Sequence, residues 1–286
     1  MPRFRSWDGT ELAYRVTGSG PPLVCIPGGP GQAVEYLGEL GGLSSQRTLI
    51  LLDNRGTGAS QAPQDPGTYR VDRLVQDVEA LRDHLGLDRM DLFGHSASGG
   101  TGLLYAAGHP RRLDHLVLAC PSLRVTGIPS DLGVAEVLAL RAHEPWYADA
   151  VAALYAEAAS PQELERYRWL CAPLLYRQWT AAAQAQAAAE PAQFAQPATE
   201  GFYAGFDPDP ALPGRLAALA VPVLLVAGEY DIWPTSASVR ALTALLGNAD
   251  LALLPRTGHF PWVDDPVPFA ATVDEFLARR PAPPSA

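Results

Sequence analysis

The chain has 286 residues, of which 48% are hydrophobic and 18% are charged, and its formal net charge is −10. This composition is typical of a globular protein and excludes an intrinsically disordered chain. The negative charge disfavours nucleic acid and anionic membrane surfaces as partners. We expect a cytoplasmic protein, because the sequence shows neither a signal peptide nor an apolar segment long enough to span a bilayer.

Short apolar runs alternate with helical patterns along the first 120 residues. Strands are predicted at residues 12–16, 22–26, 48–52, 90–93 and 115–119. Apolar residues at three- and four-residue steps predict a helix over 71–85, ended by Gly86, and another helix is expected between Ser96 and Pro110. This alternation predicts β-α-β units and a mostly parallel, doubly wound α/β sheet.

A long helical insertion interrupts this pattern. Residues 121–214 lack strand-like runs and are rich in alanine, glutamate and aromatic residues. After them, strands are predicted at 221–227 and 251–254, and helices at 237–246 and 267–279. We therefore predict a core domain formed by residues 1–120 and 215–286, with a helical cap formed by residues 121–214.

Aromatic side chains in and near the cap are candidates for an apolar substrate pocket. Each of them taken singly is more typical of core packing. The candidates are Trp146, Trp179 and Tyr203 in the cap, and Trp233 after the strand 221–227.

A serine nucleophile is predicted at Ser96. Residues 94–100 read GHSASGG, directly after a predicted strand and before a helix, which is the setting of a nucleophile elbow, the sharp turn that exposes a catalytic serine. The pattern departs from G-x-S-x-G, because its fifth position is Ser98 and the glycine is displaced to Gly99. The alternative interpretation is a glycine-rich start of a packed helix.

A serine hydroxyl needs a general base and an acid that orients the base. Asp231 follows the strand 221–227, and His259 follows the strand 251–254, so both stand at strand ends in the order Ser, Asp, His. Glu229 competes for the role of the acid, and a solvated loop carboxylate is the alternative for either residue. His95 can shape the elbow but cannot serve as its base.

The oxyanion of an acyl-transfer reaction needs backbone donors. The N–H of Ala97, which follows the nucleophile at the start of a helix, is one candidate. The N–H of Gly29 is the second, since PGGPG at 27–31 follows an early strand. A plain turn is the alternative interpretation of this glycine-proline cluster.

No cofactor is expected from the motifs. Cys25, Cys120 and Cys171 are odd in number and widely spaced, which predicts neither disulfides nor a metal cluster. Cys25 and Cys120 lie in apolar runs and are expected to be buried and reduced. The sequence GTG at 56–58 lacks the third glycine and the strand-to-helix setting of a dinucleotide site.

Three segments resemble the proline iminopeptidase branch of the α/β-hydrolase superfamily. They are PGGPG at 27–31, similar to H-G-G-P-G; DNRGTGAS at 53–60, similar to D-Q-R-G-x-G-x-S; and GEYD at 228–231 with GH at 258–259. The resemblance implies an α/β-hydrolase fold with a helical cap. It also implies metal-independent release of an N-terminal amino acid, often proline, from a small amide or a short peptide.

The resemblance further implies that glutamates of the cap hold the amine of the substrate. Glu200, in TEGFY at 199–203, resembles the segment that provides one of them. A solvated surface glutamate is the alternative.

We expect an aminopeptidase that acts on small apolar N-terminal residues. Two departures keep other functions open, since Pro27 replaces the histidine of H-G-G-P-G and Ala97 replaces the tryptophan that commonly follows the nucleophile. The first alternative is a carboxylester, lactone or thioester hydrolase. The second is a non-catalytic receptor for a small apolar ligand, and the oligomeric state is left open.

Overall fold

The computed structural model describes residues 1–279. Its centre is an eight-stranded sheet with the order β1-β2-β4-β3-β5-β6-β7-β8. The strands are β1 (Arg3–Arg5), β2 (Glu11–Gly18), β3 (Pro22–Ile26), β4 (Thr48–Leu52), β5 (Met90–His95), β6 (Leu113–Ala119), β7 (Val223–Gly228) and β8 (Ala249–Leu254). The pairs β1-β2 and β2-β4 are antiparallel, and the pairs from β4 to β8 are parallel. The predicted mostly parallel α/β sheet is confirmed.

The central strands form because their residues are apolar on both faces. All six residues of β7 are buried, as are four of the five in β3, which is typical of parallel strands covered by helices on either side. Both ends of each predicted strand lie within two residues of the ends observed in the structure. The sequence prediction missed β1, whose three residues include one buried side chain, Phe4.

Helices cover both faces of the sheet, as a doubly wound arrangement requires. The helices of the core are α1 (Val71–His84), α2 (Ser98–Gly108), α8 (Leu212–Ala217), α9 (Ser236–Leu245), α10 (Pro261–Asp264) and α11 (Pro266–Leu277). α1, α2, α8 and α9 pack with Val24 and Ile26 on one face, whereas α10 and α11 pack with Leu23 and Cys25 on the other. Residues 280–286 of the predicted core domain lie outside the described residues.

The chain between β6 and α8 contains helices and turns. Its helices are α3 (Val134–Ala139), α4 (Tyr147–Leu154), α5 (Pro161–Cys171), α6 (Ala181–Gln193) and α7 (Gln196–Gly201). We call residues 121–211 the cap segment. Short 3-10 helices lie at Val34–Leu37, Leu40–Ser45, Pro66–Tyr69, Pro110–Arg112, Arg124–Thr126 and Ala172–Leu175. None of the helices within residues 1–279 is long and apolar enough to cross a membrane.

The cap segment is attached to the loops that follow β3 and β7. Gln32 and Phe194 form an antiparallel bridge, and the Ala33 N–H donates to the Gln193 carbonyl at 2.9 Å. The buried guanidinium of Arg141 donates to the carbonyls of Leu174 and Tyr176 in the cap segment and to the carbonyl of Tyr230 in the core. These contacts fix the cap segment over the carboxyl ends of the strands.

Candidate active site

Ser96, His259 and Asp231 are brought together at the carboxyl ends of β5, β8 and β7. The Nδ1–H of His259 lies 2.9 Å from Oδ2 of Asp231, so it donates to the carboxylate. The other ring nitrogen, Nε2, therefore accepts from the hydroxyl of Ser96, also at 2.9 Å. Asp231 is fully buried, and its second oxygen accepts the Trp233 N–H at 2.8 Å. This is the geometry of a nucleophile, a base and an orienting acid.

Ser96 occupies a strained turn between β5 and α2. Its φ angle is 52°, in the left-handed region that residues with a side chain seldom adopt. The neighbouring backbone approaches so closely that a Cβ on Gly28 would lie 2.7 Å from the Ser96 Cβ. A Cβ on Gly99 would overlap Pro121. These features are typical of a nucleophile elbow.

Ser98 fits the position where the motif has glycine. Its side chain is buried, and its hydroxyl donates to the Pro27 carbonyl. The substitution therefore adds a hydrogen bond between the elbow and the loop after β3. The glycine shifted to position 99 lies where the helix meets Pro121, and there only a hydrogen atom fits.

The two predicted oxyanion donors face the same cavity. Gly29 and Ala97 both line it, together with Ser96 and His259. Within residues 1–279, neither the Gly29 N–H nor the Ala97 N–H donates to another protein group. Both donors are thus available to an oxygen that develops negative charge at the carbonyl under attack.

A directed chain of hydrogen bonds joins the loops of the site through His95. Its Nε2 lies 2.9 Å from the His259 carbonyl, which can only accept, so Nε2 carries the hydrogen. Burial lowers the pKa of His95 well below its ordinary value, so the ring is neutral and Nδ1 accepts from the Tyr36 hydroxyl at 2.7 Å. That hydroxyl accepts the Gly28 N–H at 2.6 Å. Sequence reasoning missed Tyr36, because nothing in its local context indicates this role.

Cys120 lies next to Asp231 and His259. Its sulfur, the Asp231 carboxylate and the His259 ring place potential metal-ligating atoms within 4.8 Å of one another. Burial and the charge of Asp231 raise the pKa of this thiol well above its ordinary value, so the sulfur stays protonated and is a poor ligand. The donor set therefore suits a hydrogen-bonded triad better than a metal ion. Cys25 and Cys120 are both buried and free, as predicted.

The active-site cavity has a volume of about 320 Å³ and includes two of the predicted pocket residues. Tyr203 and Trp233 line it. Trp146 instead packs against a small buried cluster that includes Leu174 and Ile232. Trp179 packs edge-on against Trp169, with ring centroids 5.5 Å apart. These two tryptophans thus have the core-packing role that the sequence left open.

The prediction for the cap glutamate is corrected. Glu200 is solvent-exposed, accepts a hydrogen bond from Gln196 at 2.7 Å and lies outside the cavity lining. The carboxylate that does line the cavity belongs to Glu190 of α6, and burial raises its pKa. The sequence held one signal for it, since Glu190 is the only charged residue in that helix.

The position of Glu190 follows from the attachment of the end of α6 to the loop after β3, which carries Gly29. Directly after that helix, the Ala195 N–H donates to the Gly31 carbonyl at 2.9 Å, and the Thr199 hydroxyl donates to the Pro30 carbonyl at 2.9 Å. The end of α6 is thereby held beside the loop that carries Gly29.

Known proteins resemble the chain in part of its sequence and in its whole fold. A proline iminopeptidase from Lactobacillus helveticus (strain DPC 4571) is 37% identical over 118 residues, which are 39% of this chain and 40% of that protein. The chain thus matches about two fifths of the length of this relative.

Solved structures cover nearly all of the chain. A hydrolase from Pseudomonas aeruginosa PA01 is 26% identical with a TM-score of 0.71, over 97% of this chain and 98% of that one. An enol-lactonase from Burkholderia xenovorans LB400 is 25% identical with a TM-score of 0.70, over 97% of this chain and 100% of that one.

The alpha/beta hydrolase fold family matches residues 21–266, a region that runs from β3 to the start of α11 and includes the residues of the triad geometry. The chain belongs to the alpha/beta hydrolase fold family.

Proposed function

We propose that the protein is a serine hydrolase that works through an acyl-enzyme. His259 takes the proton of the Ser96 hydroxyl while Oγ forms a bond to the substrate carbonyl carbon. The oxyanion accepts hydrogen bonds from Gly29 and Ala97. The leaving group departs with the proton from His259, and water, activated by the same ring, then releases the acid and restores Ser96.

The hydrogen-bonded series Ser96–His259–Asp231 carries this proposal. Both of its distances are 2.9 Å, within the range of a good hydrogen bond. Asp231 is fully buried and accepts the Trp233 N–H as well, so it holds the imidazole in one tautomer and orientation.

Within this class, an aminopeptidase is the function that the cavity supports best. An N-terminal amine is a cation at neutral pH, and Glu190 offers it a carboxylate in the same cavity as Ser96. The relative named as a proline iminopeptidase supports the same class of substrate. Glu190 thus takes the part that the sequence resemblance suggested for Glu200.

The first test uses L-leucine 4-nitroanilide, its N-acetyl derivative and 4-nitrophenyl acetate. We expect turnover of the free-amine anilide to exceed that of the acetylated one, and Ser96→Ala to lower it by on the order of 10⁴-fold. Turnover that survives this substitution would contradict the serine mechanism. Binding of one of these three compounds by wild-type protein without any turnover would identify a non-catalytic receptor.

The amine site is tested by Glu190→Gln, which keeps the size of the side chain and removes its charge. We expect kcat/KM for the free-amine anilide to fall by roughly 10- to 100-fold, since a hydrogen bond to a charged group is lost, while turnover of 4-nitrophenyl acetate stays unchanged. Glu200→Gln is the matched control and should have no effect on either substrate. Equal losses in the two variants would refute an amine site at Glu190.

A carboxylester or lactone hydrolase is the second candidate. The structures that cover nearly the whole chain include one titled as an enol-lactonase, whereas the match to the iminopeptidase covers 39% of the chain. Turnover of the ester alone would leave the acyl-enzyme mechanism in place and select this function.

A further inference from the structure

A second cavity, of about 740 Å³, adjoins the active-site cavity. We call it the cap chamber. Helices α4, α5 and α6 of the cap segment supply most of its lining. Five residues line both cavities, namely Gly29, Pro30, Leu175, Glu190 and Trp233. Glu190 therefore lies where the two cavities meet.

Small and apolar side chains give the cap chamber its size. Its lining includes the alanines at positions 153, 156, 158, 172, 187 and 188. Three large apolar residues also line the chamber and are partly exposed to solvent. The exposed fractions of Leu164, Trp169 and Trp233 are 44%, 47% and 44%. Apolar surface in a concave site is typical of the binding site of an apolar group.

Charged groups in the cap chamber are few. Glu165 and Arg168 line it and are solvent-exposed, and the Arg168 guanidinium lies over the Phe194 ring at 5.9 Å. Glu190 is the third, and it is partly buried at the junction with the active-site cavity. The chamber thus combines a mainly apolar lining with one partly buried carboxylate at its junction with the active-site cavity.

We propose that the cap chamber binds the side chain of the N-terminal residue of the substrate, and that this residue is large and apolar, such as phenylalanine or leucine. The inference rests on the proposed aminopeptidase function. The amine and the side chain are bonded to the same Cα, next to the carbonyl that Ser96 attacks. With the amine at Glu190, the side chain extends into the chamber that Glu190 also lines.

This assignment replaces the expectation of a small N-terminal residue. An alanine side chain is a single methyl group and does not reach far into the chamber. In proline the side chain closes on its own nitrogen, so it stays near the carboxylate. Each methylene that a hydrophobic pocket accepts changes kcat/KM by roughly 10-fold or more, so the chamber should discriminate strongly in favour of the larger residues.

The experiment compares the 4-nitroanilides of L-phenylalanine, L-leucine, L-alanine and L-proline. With wild-type protein we expect kcat/KM for phenylalanine and leucine to exceed that for alanine and proline by at least about 10-fold. Ala188→Trp, which places a large ring in the chamber, should lower kcat/KM for phenylalanine by about 10-fold and for alanine by much less. The remaining turnover of the alanine anilide reports that this variant is folded.

Ala189→Trp is the matched control, because Ala189 is the next residue of α6, is exposed and lies outside the lining of the chamber. It should leave the ranking of the four anilides unchanged. Turnover of alanine or proline equal to that of phenylalanine, or the same profile in both variants, would overturn the inference and leave the aminopeptidase proposal standing. Turnover of none of the four anilides would instead overturn both proposals.

Discussion

The imidazole of His95 joins three loops of the candidate site through Tyr36, Gly28 and the carbonyl of His259. None of these contacts reaches the reacting atoms, so Tyr36 and His95 are positioning residues. They hold the loop of Gly28 and the loop of His259 at fixed distances from the elbow. In the proposed mechanism a misplacement of about 1 Å can cost up to about 100-fold in rate.

Tyr36→Phe is expected to lower kcat by roughly 10-fold with little change in KM, because it removes the hydroxyl between the Gly28 N–H and His95 Nδ1. Two buried polar groups then lack a partner, so the free energy of unfolding should fall by about 1–3 kcal/mol. Steady-state kinetics and urea denaturation measure the two effects.

Tyr105→Phe is the control for this prediction. The Tyr105 ring is buried, and its hydroxyl donates to Glu79 at 2.6 Å, away from the active-site cavity. This variant should lose stability without losing kcat. If kcat falls equally in the two variants, the chain of hydrogen bonds through His95 has no particular role in positioning the site.

Individual residues were predicted where their local sequence identifies them. Ser96 lies in a recognisable turn between a strand and a helix, and Asp231 and His259 each follow a strand. Tyr36 has no such local signal, and Glu190 has only that of being the single charged residue of α6, because the positions of both side chains depend on contacts with residues distant in the chain. A single sequence does not contain those distances.

Among the elements, the short helix α10 holds the loop that carries His259. Asp264, its last residue, accepts the Gly258 N–H at 2.7 Å and the Arg177 N–H at 3.0 Å through the same oxygen. The carboxylate thus connects the residue before His259 to the cap segment. Burial raises the pKa of Asp264 from 3.8 to about 6.

This raised pKa gives Asp264 a defined effect on stability. Between its unfolded value of 3.8 and about 6, the folded chain binds the proton more tightly than the unfolded chain does. Its contribution to the free energy of unfolding is therefore greatest at low pH and is lost as the pH rises through about 6.

Asp264→Asn keeps an acceptor oxygen and removes the titration. We expect the free energy of unfolding of this variant, relative to wild type, to increase by about 2 kcal/mol between about pH 4.5 and pH 7.5. Urea denaturation at several pH values measures the difference. Asp250→Asn, at a solvent-exposed ion pair with Arg279, serves as the control. A difference between Asp264→Asn and wild type that does not change with pH would rule out this effect.

The strands and helices of the core were predicted from the spacing of apolar residues and from turn residues such as glycine and proline. α1 was predicted one residue too long, since Gly86 was taken as its end and the helix stops at His84. The closing helix was predicted at 267–279 and corresponds to α11 (Pro266–Leu277), whereas the short helix α10 was not predicted. α10 has only four residues, too few for a recurring apolar pattern to indicate a helix.

At the scale of the whole molecule, the net charge of −10 matters for the arrival of substrate. A cationic amine is attracted by the field of the protein, and added salt screens that field. We expect kcat/KM for L-leucine 4-nitroanilide to fall several-fold between about 20 mM and about 500 mM NaCl. The uncharged 4-nitrophenyl acetate should show no such trend. The same dependence for both substrates would indicate a general effect of salt on the enzyme.

The layered architecture was predictable, because alternating strands and helices allow few arrangements. The lining of the two cavities was not. Trp146, Trp179 and Tyr203 are all aromatic residues of the cap segment, and only the packing of that segment decides that Tyr203 lines the cavity of Ser96.

The place of the cap segment in the chain bears on how proteins of this architecture diversify. Ser96, Asp231 and His259 all lie outside residues 121–211, whereas Glu190 and most of the chamber lining lie inside them. In the proposed function, one contiguous stretch of gene therefore encodes most of the substrate selectivity, and recombination could exchange it without altering the three residues proposed for the chemistry. A successful exchange would have to preserve the hydrogen bonds that join this segment to the core, among them those from the His259 N–H to the Leu175 carbonyl and from the Ala33 N–H to the Gln193 carbonyl.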